Sequence, residues 1–213
     1  MIEIKNLSKK FGSSFGLNDI NLSLKKEESV IVMGQNGAGK TTLIRSILGE
    51  QIPTTGTIRI AGIDPLKDRT EALKHISFVP QLPPPIKLSV KELMNYASVL
   101  SGAEEKKIFD ICEKLELDIE KHFKKIFFKL SGGMKQKLLI AIALAKESDI
   151  LIFDEPTANL DIKGRESFYE LMRPLGNGRL LIFISHRIEE IKSLINRKIE
   201  LDLGKVVNDE KII

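Results

Sequence analysis

The sequence predicts an α/β fold: a mainly parallel sheet, an N-terminal antiparallel β part and an inserted helical segment. Three observations carry this. The apolar runs at 30–33, 150–153 and 180–184 lack the alternation of a half-wet strand, so they read as central strands covered on both faces. Helical stripes separate these runs, as a parallel sheet requires of its crossovers. Residues 2–24 instead alternate, with Ile2, Ile4, Ile20, Leu22 and Leu24 set among polar neighbours, which marks a sheet with one solvated face.

The first central strand, 30–33, runs into Gly34-Gln35-Asn36-Gly37-Ala38-Gly39-Lys40-Thr41-Thr42 and then a helical stripe through Leu43, Ile44, Ile47 and Leu48. This is strand, glycine loop, helix. Gly34, Gly39, Lys40 and Thr41 have the spacing of a loop whose backbone N–H groups wrap phosphate, and Asn36, Gly37, Ala38 and Thr42 complete the cradle. Lys40 reaches toward β- and γ-phosphates, Thr41 offers a hydroxyl to Mg²⁺, and the helix directs its positive end at the same charge. An ordinary glycine turn explains none of these together. Earlier in the chain, Phe11 reads either as hydrophobic filler or as a platform for a base.

Beyond the first helix, Pro53 and Gly56 punctuate a turn, Ile58 and Ile60 resume alternation, and 76–79 forms a short strand ending in Pro80-Gln81. Pro83, Pro84 and Pro85 then bar helix and central strand, which places a subdomain boundary there. Ser89 and Glu92 have capping-box spacing before a stripe through Val90, Leu93, Met94, Ala97 and Leu100, and a second helix is expected over 104–115. One domain over 1–213 is expected, with 1–85 and 148–213 as the α/β core and 86–147 as the helical subdomain. Lys121, Lys124, Lys125 and Lys129 alternate with Phe123, Phe127 and Phe128. That pattern suits stacking on nucleic acid, but the rest of the chain has no matching basic stripe, so a solvated lysine face over buried phenylalanines is expected.

The strand at 150–153 ends in Asp154-Glu155, two acids leaving a buried sheet, a costly placement unless a cation meets them. Mg²⁺ held by Asp154 answers this, with Glu155 facing the γ-phosphate to orient or deprotonate water. A helix is expected over 161–175. His186 follows the strand at 180–184, where an imidazole can meet the γ-phosphate, while His75 and His122 follow no such strand end. Gln81, after its own strand, is placed to sense metal or water.

Bulk properties bound the rest. At 213 residues the chain has room for one nucleotide module. Thirty-three basic against 29 acidic side chains give +4, which suits acidic ligands without demanding nucleic acid. Cys112, the one cysteine, excludes an internal disulfide. The longest apolar runs, such as 138–145, fall short of the ~18 residues that span a bilayer. The N-terminal segment starts as a strand rather than an export signal, so a cytoplasmic location is expected.

Leu130-Ser131-Gly132-Gly133-Met134-Lys135-Gln136 narrows the family. With it, the whole chain resembles the ATP-binding cassette ATPases, whose P-loop core and LSGGQ-like signature helix it matches in order. The resemblance makes Phe11 the adenine-stacking aromatic, Gly34 to Thr42 Walker A and Gln81 the Q-loop glutamine. It makes 150–154 with Glu155 Walker B and base, 158–161 the D-loop and His186 the switch histidine. Ser131, Gly132 and Gly133 form a second anion cradle at a helix start. The family pattern implies that this cradle caps ATP on another subunit, giving a head-to-tail pair, here expected to be a homodimer. It also implies a separately encoded membrane permease docked near Gln81 and Pro83–Pro85, and a place on the cytoplasmic face of the membrane. No nucleic acid partner is expected. A regulatory ATPase acting on a membrane complex without transport shares every motif; a nucleic-acid-processing relative would carry insertions absent here. Met134 replaces the usual Gln, Phe11 a common Tyr, and Ala158 a common Ser.

Overall fold

The computed structural model describes residues 1–186 and 188–212. β1 (Ile2–Phe11), β2 (Ser14–Leu24) and β4 (Thr55–Ile60) form an antiparallel sheet in the order β2-β1-β4. The larger sheet has six strands in the order β5-β6-β7-β3-β8-β9. These are β3 (Ser29–Met33), β5 (Ile76–Val79), β6 (Ile150–Asp154), β7 (Leu180–Ile184), β8 (Arg197–Asp202) and β9 (Lys205–Lys211). Every pairing in it is parallel except β8 with β9.

The unbroken apolar runs are explained by two cores, one on each face of this sheet. Val30 and Val32, Ile150 and Ile152, and Leu180, Ile182 and Ile184 point into one, against α1 (Lys40–Ile47) and the antiparallel sheet. Ile31, Leu151, Phe153, Leu181 and Phe183 point into the other, against the helices. Those helices are α3 (Val90–Ser101), α4 (Glu105–Lys114), α5 (Gly132–Ala145) and α6 (Ile162–Met172), while α2 (Arg69–Lys74) precedes β5 and α7 (Ile188–Ile191) follows β7. Phe153 stacks on Phe183 with ring centroids 5.4 Å apart and meets Phe168 of α6 edge-on at 5.5 Å.

Local chemistry sets the helix boundaries. Ser89 and Glu92 make the expected reciprocal capping box at the start of α3, and Gly102 ends that helix in a left-handed conformation. α6 starts after Asp161 but stops at Met172, three residues short of the expected 175. Pro174 lacks an N–H, and the chain tightens into a 3₁₀ turn over Arg173–Gly176. The phenylalanines of the lysine-rich segment differ from expectation: Phe127 is fully buried, but Phe128 is exposed. Cys112 lies inside the helical core, where burial pushes its thiol up to about 12 and leaves it unreactive.

Because Phe168 is fully buried against Phe153, Phe168→Ala is expected to cost ~3–5 kcal/mol, read as a lowered urea midpoint at unchanged slope.

Candidate nucleotide site

Strand order creates the site. β5, β6, β7 and β3 are consecutive neighbours in the sheet, and their C-terminal ends lead into Gln81, Asp154-Glu155, Ser185-His186 and the glycine loop. Parallel strands present these ends along one edge, where open α/β sheets bind ligands. They line a pocket of about 790 Å³ with Phe11, Gly16, residues 34–42, Gln81, Asp154, Glu155, Ile184 and His186.

The loop is braced from behind. A Cβ on Gly34, whose φ is 146°, would lie 2.3 Å from the Leu201 carbonyl oxygen; one on Gly39, with φ 106°, would lie 2.5 Å from that of Gly16. Both are positions that only glycine fills. The turn between β8 and β9 adds a bond from Gly204 N to Ala38 O at 3.0 Å. α1 then begins directly after Gly39 with no side-chain cap, so its first N–H groups stay available to an anion. Lys40 folds over the loop, donating from Nζ to Gly34 O at 2.5 Å and to Gln35 O at 3.0 Å.

Phe11 is half exposed on the pocket wall, not in the core, with its ring laid against Gly16 and Lys9 Nζ 5.3 Å from its centroid. The rest of the ring is open to the pocket.

Glu155 adopts φ 46°, a left-handed conformation that costs a non-glycine residue ~1–3 kcal/mol. A bond from its N–H to Ile184 O at 2.9 Å holds it there. The strained turn aims the carboxylate into the pocket, where Oε1 lies 2.7 Å from His186 Nδ1 and accepts from His186 N at 3.2 Å; Oε2 accepts from Ser185 Oγ at 3.4 Å. A carboxylate only accepts, so His186 carries its proton on Nδ1 and presents Nε2 to the open side. His75 instead pairs with Asp149 at 3.0 Å, away from the pocket.

Half-burial pushes the Asp154 carboxyl above its ordinary value; the Glu155 charge adds to this and Lys40 opposes it. A hydroxyl at Thr41, a carboxylate at Asp154 and an amide oxygen at Gln81 are hard oxygen donors. Mg²⁺ binds through one or two carboxylates together with phosphate oxygens and water, so this set fits it.

Ser131, Gly132 and Gly133 do not line this pocket. Ser131 caps α5, its Oγ accepting from Met134 N at 3.3 Å, and both Ser131 and Gly132 are exposed. The structure therefore gathers the sequence-derived residues into two separate places. Sequence reasoning missed Gly16, Ser185 and the buttress from β8 and β9. Ser185 was visible only as the neighbour of His186, and Gly16 meets Phe11 only through the pairing of β1 with β2.

The family model described as ABC transporter matches residues 17–158. The chain belongs to the ABC transporter ATP-binding family. It is 34% identical over 213 residues to the bacitracin transport ATP-binding protein BcrA of Bacillus licheniformis, covering 98% of this chain and 69% of that one. Among solved structures, an ATP-binding subunit of an ABC transporter matches with a TM-score of 0.92 and 25% identity, over 100% of this chain and 90% of the other. The ATP-binding cassette MJ0796, solved as a post-hydrolysis dimer with ADP and Pi, matches at 0.85 and 30%, covering 100% and 99%. This ABC chain is an ATPase, and the fold shared with these cassettes is the mixed α/β one described above.

Burial and a like charge both raise Asp154, so ionising it costs the nucleotide-free cassette stability. The sign follows: stability rises as pH falls from the raised folded value toward the ordinary carboxylate range. Asp154→Asn is accordingly expected to raise the thermal midpoint of the nucleotide-free chain at neutral pH in scanning fluorimetry. A lowered midpoint would contradict this account of the site.

Proposed function

We propose that the chain is the ATP-hydrolysing subunit of an ABC transporter that works as a head-to-tail pair of identical chains, with Ser131, Gly132 and Gly133 of each closing over the nucleotide of the other. One observation carries this reading: the pocket holds every residue suited to hydrolysis, while the second anion cradle stands exposed outside it. A cradle that faces solvent in its own chain is useful to a phosphate brought by a second chain. The dimeric form of the similar MJ0796 cassette supports the same arrangement.

In this reading ATP lays its adenine on Phe11 and its phosphates in the loop from Gly34 to Thr42. Lys40 leaves the carbonyls of Gly34 and Gln35 and turns to the β- and γ-phosphates, which replace two neutral acceptors with charged ones. Thr41, Asp154 and Gln81 would hold Mg²⁺, which supplies charge neutralisation of the phosphates. Glu155 accepts the proton of the attacking water. His186, bonded to Glu155 through Nδ1, fixes that carboxylate and directs Nε2 toward the γ-phosphate. The arriving signature excludes bulk water and completes the positive surround of the leaving phosphate. Met134 leaves this contact intact, because the hydroxyl and N–H donors come from Ser131 and the glycines.

The chain's partner in the membrane is a separately encoded permease, with the cassette held at the cytoplasmic face. No helix among the described residues is long and apolar enough to cross a membrane. Beside Gln81 lies a second pocket lined by Pro80 and Leu82, and Leu82 is 79% exposed. An apolar side chain so placed suits a short helix of a membrane subunit, which would then feel nucleotide through the Gln81 segment.

Glu155→Gln is expected to bind Mg-ATP without turnover and to elute as a dimer in size-exclusion chromatography. Adding Ser131→Arg should return it to the monomer position while fluorescent ATP still binds, since the loop cradle is untouched. A dimer that persists in the double variant, or unchanged turnover in Glu155→Gln, would reject the arrangement.

A further inference from the structure

Gln136 is wholly buried on α5, yet its amide is only half satisfied. Nε2 donates to Pro80 O across a long 3.4 Å, and Oε1 has no hydrogen-bond partner among the described residues. Buried polar groups are nearly always paired, and an apolar side chain of similar volume avoids the cost of an unpaired one. A glutamine kept here therefore answers a need other than the stability of this conformation.

Its surroundings indicate which. Pro80 immediately precedes Gln81, and Gln136 stands five residues after Ser131 on the same helix. The other side of the Gln81 segment is held as loosely: Asn159 Nδ2 reaches Gln81 O at 3.5 Å, and Asn159 lies against Gly132 and Gly133 at the start of α5. Next to Gln136, Lys137 is also buried and pairs with Asp161 at 3.5 Å, just beyond Asn159. Three segments thus meet around the first turns of α5: the end of β5, which Gln136 reaches, the signature helix itself, and the segment 158–161, which touches Gly132, Gly133 and Lys137. The bonds joining them are long, and one strong acceptor is left over.

We propose that Gln136 is a positioning residue that couples the signature helix to Gln81. It holds the Gln81 segment by its Pro80 carbonyl in the nucleotide-free chain and supplies its spare Oε1 to a backbone N–H of that segment when Gln81 moves to the nucleotide. Pairing the orphaned acceptor favours the loaded position, so the helix that carries Ser131 and the loop that carries Gln81 change place together. The amide orientation is fixed by chemistry, since reversing it would set Oε1 against the Pro80 carbonyl oxygen.

This inference rests on Gln81 acting at the nucleotide, and the test separates the two. The chain contains no tryptophan, so Leu82→Trp places a single reporter beside Gln81. In that background, Gln136→Leu and the more adaptable Gln136→Met are compared with Gln81→Ala. Either Gln136 variant removes an unpaired Oε1 and also the bond to Pro80 O, so the thermal midpoint is expected to stay within about 4 °C of the parent. It should lower kcat by about ten- to a hundredfold at unchanged KM for ATP, up to what a displacement of about 1 Å at the chemistry costs. It should also abolish the ATP-induced change in tryptophan emission while fluorescent ATP still binds. A merely structural glutamine would move stability without uncoupling the emission change from binding. If both Gln136 variants keep kcat within twofold of the parent, or keep the emission change, while Gln81→Ala impairs turnover, the coupling is overturned. If Gln81→Ala itself leaves turnover unchanged, the assignment of Gln81 fails first and the coupling falls with it.

Discussion

Backbone approach to phosphate is the constraint around which this molecule is arranged. A loop that offers N–H groups to a polyanion must be rigid before the ligand arrives, because ordering it on binding would consume the gain. Here the rigidity comes from contact so close that side chains are excluded: Gly34 lies against the Leu201 carbonyl and Gly39 against that of Gly16. One contact is with β8, the other with β2, so the loop is clasped between the parallel sheet and the antiparallel one. The core that joins the two sheets holds that clasp.

Around the clasp, free energy is spent where chemistry needs it. Glu155 sits in a left-handed backbone conformation, Asp154 ionises against burial and a neighbouring charge, and Lys40 is bonded to the carbonyls of Gly34 and Gln35. The first two are unfavourable in the empty chain, and a cation bound beside Asp154 would offset the second. The buried aromatic cluster of Phe153, Phe168 and Phe183 lies directly beneath the Asp154-Glu155 turn and supports it. Strain above and dense packing below are two parts of one arrangement, since only an unyielding core keeps a strained turn in place.

Much of this was legible in the sequence because it is local. The glycine loop, the capping box at Ser89, the acids after an apolar strand and the histidine after another are short patterns with direct physical meaning. What escaped was what the tertiary fold alone brings together. The β8 and β9 hairpin carries Ile199 and Leu201 in alternation, a weak signal beside the stronger runs, yet it supplies the backing of the phosphate loop. α2 is a six-residue helix, too short to show a stripe. Pro174 ended α6 before the apolar pattern did. Ser185 and Gln136 bond to partners 30 and 56 residues away, a separation no local pattern encodes. The separation of the signature from the pocket was expected from family resemblance and now has a geometric form in the exposed start of α5.

In the proposed arrangement one chain holds the nucleotide and another finishes the site. Specific ATPase activity measured against chain concentration tests it directly, with analytical ultracentrifugation reporting assembly in the same buffer. Activity per chain should climb with concentration and vanish on dilution to the range where only monomer sediments. Constant activity per chain across a strictly monomeric range would contradict it.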